Sequence, residues 1–459
     1  MLESGVRSQI HKPFGDQRLP EVLIAEATEG WVAAAMGSLE LQNLVSNEND
    51  TWRMHRLIGE FWRAMLGADA NTWRRSVSQI VNSRTGRFTA QYNWSDFRRL
   101  VPHALSLLGL GAEDRAAARL FGQIGGFALS YGIQPGDIRF AETSVAIHEK
   151  IAPESESLAA SLNNLAEFQR YDNLKLAIAT CKRVCDITAG LPDVGPAHPN
   201  YAIALSNLGT NYVRNKDLEK SEALFLDALR IDKSALGETH PQTTTDYRNL
   251  GGLYYELAAV NQGAVADAFR AKEAQVTEQA LNLTLESLGP YHPEVATDRN
   301  NVAVMWDRDG RSEDALSLMA QAAATSVDLL GPGHEQAIST LGAYLNMAIV
   351  ADAPLESAVL ELKEVVIELK TLHRDWGKQR LGEIAARLGI ELNDPEALLK
   401  ALSAEQKRLH AEGAYEERIR WEVEQVQEAL HAVTLEPHPS PQFQTNLIAA
   451  LQALGIEVN

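Results

Sequence analysis

The sequence predicts an all-α protein whose main part is an array of stacked helix pairs. Gly-x-x-His-Pro occurs three times, ending at Pro199, Pro241 and Pro293, and a fourth copy reads GPGHE around His334. The intervals between the four histidines are 42, 52 and 42 residues, and the sequence between them has the three-and-four spacing of amphipathic helices. A period of this length is typical of helical repeats that stack into a superhelix.

Each Gly-x-x-His-Pro is predicted to mark a boundary between helices. Gly289 suits the left-handed conformation that ends a helix, and Pro293 suits the first turn of the next one, where its missing N–H costs nothing. His292 is expected to form a hydrogen bond at this junction. The longer 52-residue interval predicts about ten extra residues near AAVNQGAVAD, as a longer loop or as a helix extension.

An asparagine recurs in step with the histidines. Asn207, Asn249 and Asn301 each stand nine residues after a His, and Asn164 lies 43 residues before Asn207. Two interpretations stay open for these four residues. Their amides could hold adjacent repeats together, or they could bind the backbone of an extended peptide, since an amide supplies both donors and an acceptor.

These residues resemble the tetratricopeptide repeat in its long form of about 42 residues, found in kinesin light chains and many bacterial regulators. The match covers about residues 120–350. The resemblance implies a solenoid whose first helices line a concave surface that binds a peptide or protein. Two repeats carry it most clearly, through Gly209, Tyr212, Phe225, Ala228 in one and Trp306, Gly310, Ala315, Met319, Ala322 in the other.

Arg214, Arg248 and Arg308 lie beside the repeated asparagines by helical spacing. On the inner wall they would form a basic strip that favours a peptide containing Asp or Glu. The alternative is that these arginines are solvated or paired with local acids such as Asp309.

Residues 1–90 are predicted to form a small winged-helix-like unit. A helix ending near Gly37, strands at 41–46 and 51–54 and a helix from His55 give the expected order. Met54-His55-Arg56-Leu57 resembles a stretch of the nucleotide-binding core of STAND (NB-ARC) regulators, which implies that His55 is a remnant of a nucleotide sensor. Packing at a helix start is the alternative. No P-loop accompanies it, because Gly377-Lys378 is followed by Gln and lacks the first Gly.

The remaining boundaries follow from the same patterns. Residues 91–119 are predicted to be a helical connector, residues 120–350 the repeats, and residues 351–459 helical, degenerate repeats that end in a cap at 447–455. In the last part, EERIRWEVEQVQEAL reads as one more second helix of a pair.

The composition narrows the class of function. The net charge is −19, and after residue 110 there are 30 Lys and Arg against 50 Asp and Glu, which disfavours nucleic acid as a partner. No apolar stretch reaches the length of a membrane span or signal peptide, so a cytoplasmic location is expected. Cys181 and Cys185 are expected to be buried free thiols, and neither a metal nor a cofactor is predicted.

The sequence therefore predicts a non-enzymatic interaction or sensor module, part of a STAND-like signalling regulator, since no catalytic motif was found. One alternative is a regulatory subunit that acts with a P-loop ATPase in trans. Another is a peptide-sensing transcriptional regulator. The patterns leave the oligomeric state and the identity of the ligand open.

Overall fold

The computed structural model describes residues 45–48, 51–54, 78, 104–105, 107–109, 111–130, 138–192, 195–331, 334–388, 404–411 and 416–456. The chain divides into two compact units. One comprises residues 1–87 and 95–123, and the other comprises residues 88–94 and 124–459. In the described part, no helix combines the length and the hydropathy that a membrane crossing requires.

The first unit contains a two-stranded antiparallel hairpin. Strands β1 (Val45–Glu48) and β2 (Thr51–Met54) pair with Val45 opposite Met54 and Glu48 opposite Thr51. The described part of the first strand therefore extends two residues past the predicted end at Ser46, because the ladder continues into the predicted turn. The predicted flanking helices and His55 lie outside the described residues, so the winged-helix assignment stays a prediction.

The repeat region consists of antiparallel helix pairs, and from α2 to α12 each helix packs against the next along the chain. The first helices of successive pairs also touch, as α3, α5 and α7 do. The bounds are α1 (Arg115–Ser130), α2 (Ile138–Ile151), α3 (Glu156–Asp172), α4 (Leu174–Gly190), α5 (Pro199–Arg214), α6 (Leu218–Ala235), α7 (Pro241–Val260), α8 (Gly263–Leu288), α9 (Pro293–Arg308), α10 (Ser312–Leu330), α11 (Glu335–Val350) and α12 (Leu355–Leu388).

Small residues allow the two helices of a pair to approach closely. A Cβ on Gly209 would lie 2.6 Å from the ring of Phe225, and one on Gly251 would lie 2.7 Å from Oγ1 of Thr277. The Gly and Phe that carry the repeat resemblance in α5 and α6 are thus direct packing partners. Apolar side chains that repeat at three and four residues fill the space between these helices.

The 52-residue interval is a helix extension. Helices α7 and α8 have 20 and 26 residues, whereas α5 and α6 have 16 and 18. Two residues connect the longer pair. In the added part of α8, Phe269 packs against Tyr254, with ring centroids 6.2 Å apart, and Lys272 lies over the ring of Tyr254 with its Nζ 4.9 Å from the centroid.

The C-terminal part folds back onto the array. Helix α12 has 34 residues, and its first half packs on α10 as the second helix of the last pair. Its second half packs against α13 (Glu416–Thr434), which also contacts α8. Gly377 makes this crossing possible, since a Cβ there would lie 2.8 Å from the backbone oxygen of Ala429. Helix α13 follows its packing partner α12 along the chain, as the second helix of a pair does, and the assignment of residues 351–459 to degenerate repeats stays a prediction.

The predicted cap segment forms the last helix, α14 (Phe443–Ala453), which packs on α10 and α11. Its Asn446 donates a hydrogen bond to the backbone oxygen of Val327 at 3.1 Å. Before it, the backbone N–H of Ser440 donates to Asp328 at 2.7 Å. These contacts cover the apolar end of the array.

Candidate functional site

The repeated histidines cap the first helix of each pair. In all four copies, Nδ1 of the His accepts a hydrogen bond from the backbone N–H two residues later, at 3.0 to 3.2 Å. In three of them a Pro follows at the first helical position. The prediction that His292 bonds at its junction is confirmed, and the residues with this role are His198, His240, His292 and His334.

The capping role requires Nδ1 without a proton, because a protonated Nδ1 cannot accept. Burial lowers the pKa of His240 to about 4, and burial also lowers the pKa of His292 and His334. At neutral pH these three imidazoles are therefore neutral, as the cap demands.

Residues 288–293, LGPYHP, lie beneath the C-terminal helices. Gly289 has φ +74° and ψ 171°, a conformation that favours glycine, and a Cβ on it would lie 2.5 Å from His373 and 2.6 Å from Trp376. The indole N–H of Trp376 donates to the backbone oxygen of Glu286 at 3.1 Å. This stretch thus ends one helix, caps the next one and packs against α12. These three structural roles explain its residue types, and no active site is needed to account for them.

Capping residues set a common register for the first helices. Side chains 9, 12 and 16 residues after each cap lie on one stripe of their helix, since these intervals keep to the helical repeat. In α3 the cap is Ser155, whose Oγ accepts from the N–H of Leu158 at 3.2 Å. We call this stripe the first-helix face; its residues on α3, α5, α7 and α9 are Asn164, Glu167, Tyr171, Asn207, Thr210, Arg214, Asn249, Gly252, Glu256, Asn301, Val304 and Arg308.

The four asparagines of this face differ in their contacts. Asn164 lies 3.4 Å from the Cβ position of Gly126 on α1, and Asn207 donates to Oδ1 of Asn163 at 3.2 Å. Those two amides therefore contact the preceding repeat. Asn301 is exposed and accepts from its neighbour Asn300 at 3.4 Å, whereas the half-buried side chain of Asn249 makes no hydrogen bond to any described residue.

The three arginines do not form a continuous basic strip. Arg248 is largely buried and pairs with Asp298 at 2.6 Å and Glu294 at 2.8 Å. Arg308 pairs with Glu273 at 2.9 Å and with Asp309 at 3.2 Å, so the alternative of local acid pairing describes both.

Arg214 differs from both. It is exposed and lies over the ring of Tyr171, 5.3 Å from its centroid.

A polar contact between successive pairs was not anticipated from the sequence. Between α7 and α9, Asp298 accepts from Arg248 and also from Oγ1 of Thr284 at 2.8 Å. In the preceding junction the matching positions, counted from the caps, hold Ser206, Asp246 and Asp232. The sequence does show an Asp six residues after both His240 and His292. The contact could not be predicted from it, because the partners of Asp298 belong to two other helices, α7 and α8.

The two cysteines are free thiols, as expected. Cys181 is buried and Cys185 is half-buried. Burial raises the pKa of Cys181 to about 11 and that of Cys185 to about 12, which makes both poor nucleophiles at neutral pH. Within the described ranges, no group of three or more His, Cys, Asp or Glu side chains is arranged to hold a metal ion.

Comparison with known proteins agrees with the helix pairs. Two family models, both described as tetratricopeptide repeat, match residues 195–259 and 295–336. The chain therefore contains tetratricopeptide repeats, arranged as an all-α solenoid. Protein modules of this class bind other proteins, and no enzyme family matches among these findings.

Among individual proteins, the chain is similar to Protein KINESIN LIGHT CHAIN-RELATED 3 of Arabidopsis thaliana. The two are 26% identical over 168 residues, which is 36% of this chain and only 24% of that protein. The crystal structure of BtubC from P. vanneervenii matches 50% of this chain and 89% of its own at 18% identity, with a TM-score of 0.41. A STAND protein with a tetratricopeptide repeat sensor from Pyrococcus horikoshii matches 84% of this chain and 60% of its own, at 15% identity and a TM-score of 0.32.

Proposed function

We propose that the first-helix face binds an extended segment of a peptide or protein. The observation that carries the proposal is Asn249, a half-buried amide on this face whose donors and acceptor have no partner among the described residues. Polar groups of this kind are normally hydrogen-bonded, so an amide left without a protein partner is available to a ligand.

The surroundings of Asn249 suit a chain in extended conformation. Gly252, one turn further along α7, has no atom within 4 Å of its Cβ position, so the floor of the face is open there. Tyr255 on α7 is 50% exposed, and Val304, which occupies on α9 the position of Gly252 counted from the cap, is 49% exposed. An extended peptide would gain apolar contact from both side chains while its backbone bonds the Asn249 amide.

The test uses the full chain and a displayed library of random 12-residue peptides. Binding of selected peptides would be measured by fluorescence anisotropy for the wild type and for Asn249→Ala. We expect the variant to bind about five- to tenfold more weakly, because one buried hydrogen bond to the ligand is lost. Asn282→Ala is the matched control, since Asn282 is exposed on the second helix α8.

Two outcomes would count against the proposal. The library could yield no peptide that binds the wild type, or the selected peptides could bind Asn249→Ala as tightly as the wild type. Loss of binding in Asn282→Ala would instead indicate a surface on the second helices.

We also propose that the array is part of a STAND-like regulator, and this proposal rests on the resemblance carried by the stretch Met54-His55-Arg56-Leu57. The hairpin β1–β2 ends at Met54, where a winged-helix unit would place its strands. The alternative is a regulatory subunit that acts with a P-loop ATPase in trans; for this alternative the full chain should bind such a partner, and His55→Ala should change the ATP turnover of that complex. Unchanged turnover would leave His55 a packing residue.

A further inference from the structure

The same aromatic and cationic unit occurs twice between successive first helices. Arg214 lies over Tyr171 of the preceding repeat at 5.3 Å, and Arg308 lies over Tyr255 of its preceding repeat at 5.6 Å, measured from guanidinium carbon to ring centroid. Both tyrosines are well exposed, Tyr171 at 70%. When an aromatic ring lies against the flat face of a guanidinium, it holds the guanidinium in place. The N–H groups at the edge of the guanidinium then stay available to bind an anion.

In one of the two units the protein supplies that anion itself. Nη1 of Arg308 lies 2.9 Å from a carboxylate oxygen of Glu273, a buried side chain of α8. Asp309 adds a second carboxylate at 3.2 Å. The unit is therefore able to bind a carboxylate, and at Arg308 it already does.

The other unit has no such partner in the described part of the chain. No carboxylate lies within ion-pair distance of Arg214 there. Glu167 interacts with Arg214 through its charge, but its ion pair is formed with Arg170. Burial raises the pKa of Glu167, against smaller opposite effects of Arg170 and Arg214.

We infer that Arg214 and Tyr171 form a carboxylate-binding subsite of the first-helix face, filled by the ligand as Glu273 fills the site at Arg308. The inference rests on the proposed peptide-binding function and adds the chemistry of the ligand. The carboxylate would come from an Asp or Glu side chain or from the end of the bound chain. Arg214 lies two helical turns from Asn207, about 10 Å, which an extended peptide covers in about three residues.

The experiment selects peptides against three forms of the full chain, namely wild type, Arg214→Gln and the matched control Arg230→Gln. Two libraries of the same random 12-residue sequences are used, one with a free C-terminal carboxylate and one with a C-terminal amide. We expect peptides selected by the wild type to be enriched in Asp or Glu, or to require the free terminus, and Arg214→Gln to bind them at least about tenfold more weakly. Arg230→Gln should keep the preference, because Arg230 is exposed on the second helix α6 and does not belong to the first-helix face.

The libraries separate the two sources of the carboxylate. Enrichment of Asp or Glu in the amidated library identifies a side chain, whereas binding only by the free-acid library identifies the chain end. The inference is overturned if peptides bind but show no carboxylate preference, or if Arg214→Gln keeps that preference unchanged. In both cases the proposed peptide binding survives, whereas a library without any binder contradicts the proposed function itself.

Discussion

Two successive repeat junctions use the same three positions with opposite electrostatics. Between α7 and α9, the buried Asp298 faces a cation and a hydroxyl, Arg248 and Thr284. Between α5 and α7, the matching Asp246 accepts from Ser206 at 2.6 Å and faces a second carboxyl, Asp232, and both carboxyls are fully buried.

The difference lies in how each junction neutralises its buried charge. Arg248 neutralises Asp298 by a bidentate pair, with distances of 2.6 and 2.8 Å. In the other junction, three of the four carboxyl oxygens have no hydrogen-bond donor among the described residues. A proton retained by the pair supplies the missing donor. Burial and the neighbouring carboxyl of Asp246 together raise the pKa of Asp232 to about 9, and burial raises that of Asp246 to about 7.

Removing the charge at these positions should therefore have unequal effects. Asp298→Asn leaves Arg248 buried without its main partner, and we expect the free energy of unfolding to fall by about 3–5 kcal/mol. Asp246→Asn removes no cation partner, and we expect a change of about 1 kcal/mol or less at neutral pH. Urea unfolding followed by far-UV circular dichroism would compare the two variants.

Equal losses in the two variants would contradict this account of the junctions. A small loss in Asp298→Asn alone would mean that Glu294, which lies 2.8 Å from Arg248, suffices to compensate the guanidinium.

The two junctions also differ in the surroundings of the glycine that stands three residues before the capping histidine. Gly237 and Gly289 both have positive φ, at 98° and 74°, but only Gly289 is in contact with the C-terminal helix α12. Gly237→Ala should cost about 1 kcal/mol from backbone strain. Gly289→Ala should cost about 2–3 kcal/mol, because the added methyl also displaces His373 and Trp376. Thermal unfolding of both variants would measure the difference. Similar losses of unfolding free energy would indicate that α12 shifts to accommodate the methyl group at little cost.

Much of the fold followed from the sequence because its signals are local. A His-Pro boundary and a three-and-four apolar spacing act within one helix, so the helix pairs, their register and the capping by His292 were predictable. The packing of α12 and α13 over Gly289 was not, since residues about 90 apart meet there and nothing near Gly289 signals it.

The candidate site was only partly predictable for the same reason. Spacing placed Asn207, Asn249 and Arg214 on one face, but it could not tell an amide bonded to Asn163 from one without a partner. Likewise, both Arg248 and Arg214 lie close to a repeated asparagine in the sequence: Arg248 directly precedes Asn249, and Arg214 follows Asn207 by seven residues. Only the neighbouring helices decide that Arg248 is paired and Arg214 is exposed.

The comparison also predicts a dependence on pH that one junction has and the other lacks. Because folding raises the pKa of Asp232 and Asp246 above the ordinary 3.8, the native state binds more protons than the unfolded state in the intervening range. The contribution to stability is full below about pH 4 and is lost as the pH rises through about 7 to 9. Histidines in unfolded chains are largely neutral above pH 7, because their ordinary pKa is about 6.5, so the capping histidines contribute little to the change between pH 7 and 9.

Asp232→Asn should flatten this dependence, because an amide at 232 donates to Asp246 without needing a proton. We expect the wild type to lose about 1–2 kcal/mol more than the variant between pH 7 and 9. Asp227→Asn, an exposed position on the same helix, should keep the wild-type slope and controls for net charge. If the free energy of unfolding changed with pH in the same way for the wild type and Asp232→Asn, the pair would hold no proton at pH 7. The junction between α5 and α7 would then need another source of compensation for its two buried carboxylates.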